Sequence, residues 1–175
     1  MIRPPSKALA CTISLAACFA AAAEVPMDAV VETSSGSRMH LDTLWKRPTV
    51  LFYEDKESSD LNQHVKDALF RVGKEKGLLE SVSVVAVANV AAFDWFPARN
   101  FVLAAVKDVE KKANVPVYLD FKGHLAAPPW SLPPKSSTVC ILNQTGEVVW
   151  KVKGRLKDSE VQELFEVLGR LLEHR

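Results

Sequence analysis

Two runs near the end of the chain, Thr138-Val139-Cys140-Ile141-Leu142 and Val148-Val149-Trp150-Lys151-Val152, are rich in β-branched and aromatic residues. Asn143-Gln144-Thr145-Gly146 separates them. The runs read as strands and the spacer as a tight turn, since Asn and Gly tolerate the backbone conformations that a chain reversal demands. A helix follows at once. Val161, Leu164, Phe165, Leu168 and Leu171 recur on one face, Glu160, Glu163 and Glu166 lie away from it, and Asp158 or Ser159 stands where a cap is needed.

Upstream, strands and helices alternate. Val30 to His40 reads as a short hairpin around Ser34-Ser35-Gly36-Ser37, and Thr49-Val50-Leu51-Phe52-Tyr53 as a central strand covered on both faces. Ser58, Ser59 or Asp60 caps a helix carrying Leu61, Val65, Leu69 and Val72 at helical spacing, which Gly73 and Gly77 weaken and end. Ser83 to Val87 is a buried strand, and residues 89–97 form a loop with Phe93, Trp95 and Phe96. A second helix is predicted over Ala98 to Ala113, burying Phe101, Ala105, Val109 and Ala113, with Asn114 and Pro116 as its stop. Val117-Tyr118-Leu119 is a short strand. Pro128, Pro129, Pro133 and Pro134 make the segment around Trp130 a stiff, extended loop. This alternation gives an α/β domain, and the late hairpin makes its sheet mixed.

The first 23 residues read separately from the domain at 24–175. Arg3 and Lys7 provide a positive start, Ala8 to Ala20 an apolar run, and Ala21-Ala22-Ala23 a small-residue cleavage site, the pattern of a secretory signal. The run is short for a permanent transmembrane anchor, which needs about 20 apolar residues. Leu15-Ala16-Ala17-Cys18 also has the form of a lipoprotein box, so the alternative is an envelope lipoprotein anchored through Cys18. Removal of Arg3 and Lys7 takes 22 basic residues to 20 against 21 acidic ones, a near-neutral balance with no basic stripe, which argues against nucleic acid as a partner. Of the three cysteines, Cys11 and Cys18 fall in the signal segment, and Cys140 alone can make no internal disulfide.

Taken together, residues 24 to 175 resemble the thioredoxin-like superfamily. The Gly36 turn, Leu41, Leu44 and the Thr49 to Tyr53 strand look like the opening of its redoxin branch. The Asp120 turn with Gly123, Trp130 and Leu132, Ser136-Ser137, the Val139 to Leu142 strand, Gly146, Val148, Trp150, Gly154 and the last helix resemble the YtfJ-like family of bacterial periplasmic proteins. The resemblance implies a three-layer fold with a mixed central sheet and flanking helices. It also exposes two departures. The turn where active relatives carry their nucleophilic Cys, at a helix N-terminus that lowers the thiol pKa, reads Glu54-Asp55-Lys56-Glu57-Ser58-Ser59-Asp60, without Cys. Ser136-Ser137-Thr138 stands where they carry a cis-proline.

The expectation is an exported thioredoxin-fold protein without a CxxC pair or a peroxidatic Cys, working in the periplasm or outside the cell as a non-catalytic binding or accessory module. Its partner would be a peptide, protein or small ligand, with no cofactor. The alternative is a thiol-dependent antioxidant or oxidoreductase of redoxin type using Cys140, a poor candidate because a central strand buries it and burial raises a thiol's pKa. His40, His64, His124 and His174 show no spacing of a shared metal site. Ser58 and Ser59 sit in no Gly-x-Ser-x-Gly elbow and read as helix caps. Fold analogy gathers Lys56, Glu57, Ser58, Trp95, Trp130 and Ser137 on one binding face.

Overall fold

A computed structural model describes residues 28–113 and 115–173. The readings on the signal segment, Cys18, Asn114 and His174 lie outside the described residues. The elements, in order, are β1 (Val30–Glu32), β2 (Arg38–His40), a 3₁₀ turn (Leu41–Leu44), β3 (Thr49–Glu54), α1 (Gln63–Lys76) and the single-turn α2 (Leu78–Ser81). There follow β4 (Ser83–Asn89), a 3₁₀ turn (Ala91–Phe93), α3 (Ala98–Ala113), β5 (Val117–Asp120), β6 (Thr138–Leu142), β7 (Val148–Lys153) and α4 (Asp158–Glu173).

The seven strands form one sheet in the order β2-β1-β5-β4-β3-β6-β7. β3 pairs in parallel with β4, and β4 with β5; these links need crossovers, which α1 and α3 supply. β3 pairs antiparallel with β6, and β6 with β7, so the sheet is mixed as the late hairpin implied. Every residue of β3 is buried. Its side chains alternate between two cores. Val50 and Phe52 join Val139, Ile141, Val65 and Leu69 of α1, and Leu164 and Leu168 of α4. Leu51 and Tyr53 join Val85, Val87, Cys140, Leu142, Trp45, Leu125, Trp130 and Leu132. Helices therefore cover one face, while the first 3₁₀ turn and the segment after β5 cover the other. On the helical side, Val102, Leu103 and Val106 of α3 close a third cluster over Leu119 and Phe121.

Two local expectations change, and that for Gly73 and Gly77 is sharpened. The first crossover helix begins at Gln63, and Ser58 lies in the preceding turn rather than at its cap, because Asp55 captures the Ser58 backbone and hydroxyl. Gly73 stays inside α1, where an added Cβ would stand 2.4 Å from Leu79 Cγ of α2; Gly77, at φ 65°, ends the helix. In α3 the buried stripe is Val102, Leu103 and Val106, not Phe101, Ala105 and Val109; Phe101 is 71% exposed. Both stripes are apolar at helical spacing, and only the sheet's position selects between them.

The turn of the late hairpin depends on glycine twice over. Gly146 has φ 81°, and a Cβ there would approach Trp45 Cδ1 to 2.6 Å. Gly154 shares the positive φ, 89°, but has open space around it. Gly154→Ala should therefore cost ~1–2 kcal/mol of backbone strain, and Gly146→Ala about 1–3 kcal/mol more for displacing the indole. Urea denaturation of the two variants checks this; equal losses would show that Trp45 moves aside freely.

Candidate functional site

The carboxyl ends of the three parallel strands and the start of β6 lie at one end of the sheet, where open α/β sheets present their sites. The turn leaving β3 is organised by Asp55. Its Oδ1 accepts the backbone N–H of Glu57 at 3.1 Å, that of Ser58 at 3.0 Å and the Ser58 hydroxyl at 2.8 Å. Its Oδ2 accepts the Lys135 N–H at 2.6 Å, which ties the turn to the segment before β6. Ser58 Oγ in turn accepts the Asp55 N–H at 3.0 Å.

Beneath this turn runs a buried polar chain. Lys66 Nζ donates to Glu54 Oε2 at 2.6 Å and to the Ser59 carbonyl at 2.8 Å. Ser137 Oγ donates to Glu54 Oε1 at 2.8 Å, and Asn62 Nδ2 donates both to Ser137 Oγ and to the Gly154 carbonyl, each at 2.8 Å. Asn62 Oδ1 accepts the Leu156 N–H at 2.9 Å. One carboxamide thus joins α1, β6 and the start of the α4 segment. Burial pushes the Glu54 carboxyl above its ordinary value, and the Lys66 ammonium and Ser137 hydroxyl oppose that rise only in part. Ser137 is a hydroxyl next to a carboxylate, the elements of a base-activated nucleophile, but it is wholly buried and its lone pair is engaged by Asn62. The arrangement fastens elements together and offers no reacting atom at the surface.

The six residues gathered by fold analogy separate here. Lys56 and Glu57 are exposed on the turn. Ser58 and Ser137 are buried in the two networks. Trp130 leaves the face altogether: 1% exposed, it packs against Trp45 with ring centroids 6.3 Å apart, and its indole N–H donates to the Asp28 carbonyl at 2.8 Å. A large aromatic in a proline-rich loop is drawn into the core because, among the described residues, irregular segments rather than helices cover that face of the sheet. Trp95 is 59% exposed beside Phe96, 83% exposed, and Phe93 also reaches solvent. Cys140 is fully buried opposite Leu51, and burial pushes its thiol up to about 12.

Sequence reasoning missed Glu54, Asp55, Asn62 and Lys66 as a connected set. A charged residue closing a buried strand was the available signal for Glu54; Asn62 had none, since its partners lie 75 and 92 positions away. It also missed the cluster of Asp28, His40 and Asp42, whose ligand-type atoms lie within 4.8 Å of one another. There His40 Nδ1 and Asp28 Oδ2 are 2.6 Å apart, which raises the His40 pKa and helps lower that of Asp28. The cis peptide bonds are Phe96-Pro97 and Pro128-Pro129, neither of them next to β6.

Two outcomes test the buried chain. Asn62→Ala strands the Leu156 N–H, the Gly154 carbonyl and Ser137, and should lower stability by ~2–4 kcal/mol in urea denaturation. Glu54 holds its proton more tightly folded than unfolded, so its contribution is full below its ordinary value of 4.5 and is lost as pH rises through the higher folded value. The stability of the parent chain relative to Glu54→Gln should accordingly fall as pH climbs above 4.5; a rise would reverse the assignment.

Several solved structures share this fold. The exposed lipoprotein thioredoxin Etrx1 of Streptococcus pneumoniae superimposes with a TM-score of 0.57 at 16% identity, over 82% of this chain and 99% of that one. A putative thiol:disulfide interchange protein DsbE of Chlorobium tepidum gives 0.57 at 18%, over 83% and 94%. An uncharacterized conserved protein of Geobacillus kaustophilus gives 0.62 at 17%, over 87% and 82%. The chain shares the thioredoxin-like fold of these structures, a mixed sheet with flanking helices. No curated protein matches its sequence. A family model matches residues 56–171, about two thirds of the chain, and the protein belongs to the family it describes, "Bacterial protein of unknown function (YtfJ_HI0045)".

Proposed function

We propose that this protein is a non-catalytic binding module of the bacterial envelope, a thioredoxin fold that has exchanged thiol chemistry for recognition of a protein partner. The observation that carries this reading is the aromatic segment between β4 and α3. Trp95 and Phe96 stand in solvent, and Phe101 continues the apolar surface onto the first turn of α3, at the end of the sheet where fold relatives place their chemistry. Exposed aromatics on a rigid scaffold are the usual anchors of protein recognition. The turn that would hold a reactive thiol is instead closed by Asp55 and Ser58, and Cys140, the sole cysteine among the described residues, lies within the sheet. A thiol held near 12 supplies almost no thiolate at neutral pH.

Export supports the envelope setting: the first 23 residues have the pattern of a secretory signal, with anchoring through Cys18 as the other route. Among the described residues, no helix is long and apolar enough to cross a membrane. Two fold neighbours, a lipoprotein and a putative thiol:disulfide interchange protein, fit the same setting.

The test has two arms. Disulfide- and peroxide-reduction assays should give no thiol-dependent activity in either the parent protein or Cys140→Ser; activity that disappears in Cys140→Ser would sink the proposal. Photo-crosslinking in intact cells, from a probe placed at Glu57, should trap a partner that Phe96→Ser with Phe101→Ser no longer binds. The unfolding free energy should change by only about 0.5 kcal/mol, as expected for exposed positions. Crosslinks that survive both substitutions would remove the aromatic segment from the interface.

A further inference from the structure

A second concavity, away from the β3 turn, lies on the helical side of the sheet where β1 meets β5. The two strands share one register pair, Glu32 opposite Leu119, and a groove of about 430 Å³ lies beside it. That volume lies within the range of small-molecule sites. Leu119 and Phe121, 0% and 3% exposed, form its closed floor, Val30 is half-buried at its side, and Arg38, Lys122 and His124 stand around it.

The charges of the groove are unequal in number. Glu32 is the buried carboxylate, ion-paired to Arg99 through Nη2 and to Arg38 Nε at 3.5 Å. Asp94 receives Arg99 Nη1 at 2.5 Å and Lys122 Nζ at 2.6 Å. Three cations thus face two carboxylates. Arg99 is immobilised, bridging both acids with its guanidinium 3.9 Å from the Phe121 ring centroid. Arg38 and Lys122 are different. Their side chains are 73% and 59% exposed, and Glu32 and Asp94 both keep Arg99 as a partner when Arg38 or Lys122 turns to an incoming anion. Among the described residues, the two terminal nitrogens of Arg38 have no protein acceptor, which leaves its planar fork free for a carboxylate.

From this geometry we infer that the groove is a binding site for a small organic monocarboxylate with an apolar body. The body lies against Val30 and the aliphatic stems of Arg38 and Lys122, and the carboxylate sits between their cationic ends. The single excess positive charge matches one negative charge. A dianion such as a phosphate monoester would bring its second charge toward Glu32, which the groove encloses. Asp94 and Arg99 of this network flank Trp95 and Phe96, but Arg38→Gln and Lys122→Gln alter none of the aromatic residues assigned to partner binding, so the benzoate titration and the crosslinking test separate the two assignments.

The experiment is a titration of the full chain with benzoate, followed by amide chemical shifts, beside benzamide as the neutral isostere and phenyl phosphate as the dianion. Benzoate should give saturable shifts confined to residues 30–38 and 119–124, with weaker binding of both comparators. Arg38→Gln combined with Lys122→Gln should weaken benzoate about tenfold or more, the worth of a lost charge-assisted contact, while Lys151→Gln, on the far edge strand, should leave it unchanged. These substitutions are at exposed positions, and an unaltered amide spectrum elsewhere shows that the fold is kept. Absence of saturable shifts, equal binding of benzamide, tighter binding of phenyl phosphate, or an unaffected double variant would each overturn the assignment.

Discussion

The structure depends on β3, a strand buried along its whole length and on both faces. A strand so placed must be paired on both edges and covered above and below. Parallel β4 and antiparallel β6 satisfy its backbone, and α1 and α4 cover Val50 and Phe52. Among the described residues, no long helix covers the opposite face, which carries Leu51 and Tyr53. Leu125, Trp130 and Leu132, from an irregular segment, do that work together with Trp45. Irregular backbone can serve as a layer only where its polar groups find partners. Asp120 contributes by accepting the N–H groups of His124 and Leu125 and the Tyr53 hydroxyl.

Where β3 ends, the same burial sets the character of the candidate site. Glu54 is the last residue of the strand and has nowhere apolar to go, so its charge is met by Lys66 and Ser137 inside the protein. Each partner is itself held, Lys66 by the Ser59 carbonyl and Ser137 by Asn62, which gives a polar network with few free valences. Such a network fixes geometry strongly, because any unpaired member would bear the full desolvation penalty. At the carboxyl end of its central strand, this chain keeps a fastening. Its surface chemistry lies at the margins of that end, in the exposed aromatics before α3, and in the groove beside β1.

The order of elements was legible from the residues because strand and helix periods differ and the punctuating residues are strong: the Asn143 to Gly146 turn, Gly77 at the end of α1, and Pro48 before β3 all fall at boundaries. The burial of Cys140 was legible for the same reason, since a short apolar run flanked by turn signals reads as a central strand. Side-chain placement on α3 was not. Phe101, Ala105 and Val109 compete with Val102, Leu103 and Val106 for the core, and apolar character alone does not say which stripe is covered. Trp130 was misplaced for a related reason: a loop aromatic beside prolines looks the same in sequence whether it anchors a partner or closes a core.

The sequence by itself determined the alternation of strands and helices, the mixed sheet and the absence of Cys from the β3 turn, because each follows from local period, turn chemistry or plain composition. Tertiary structure decided what contacts between distant segments decide: the Asn62 bridge to Ser137 and Gly154, the raised Glu54 carboxyl, the choice of α3 face and the pairing of β1 with β5. A hydrogen bond between residues 75 positions apart leaves no mark on the local period of either segment, and burial belongs to the assembled layers rather than to any residue in them.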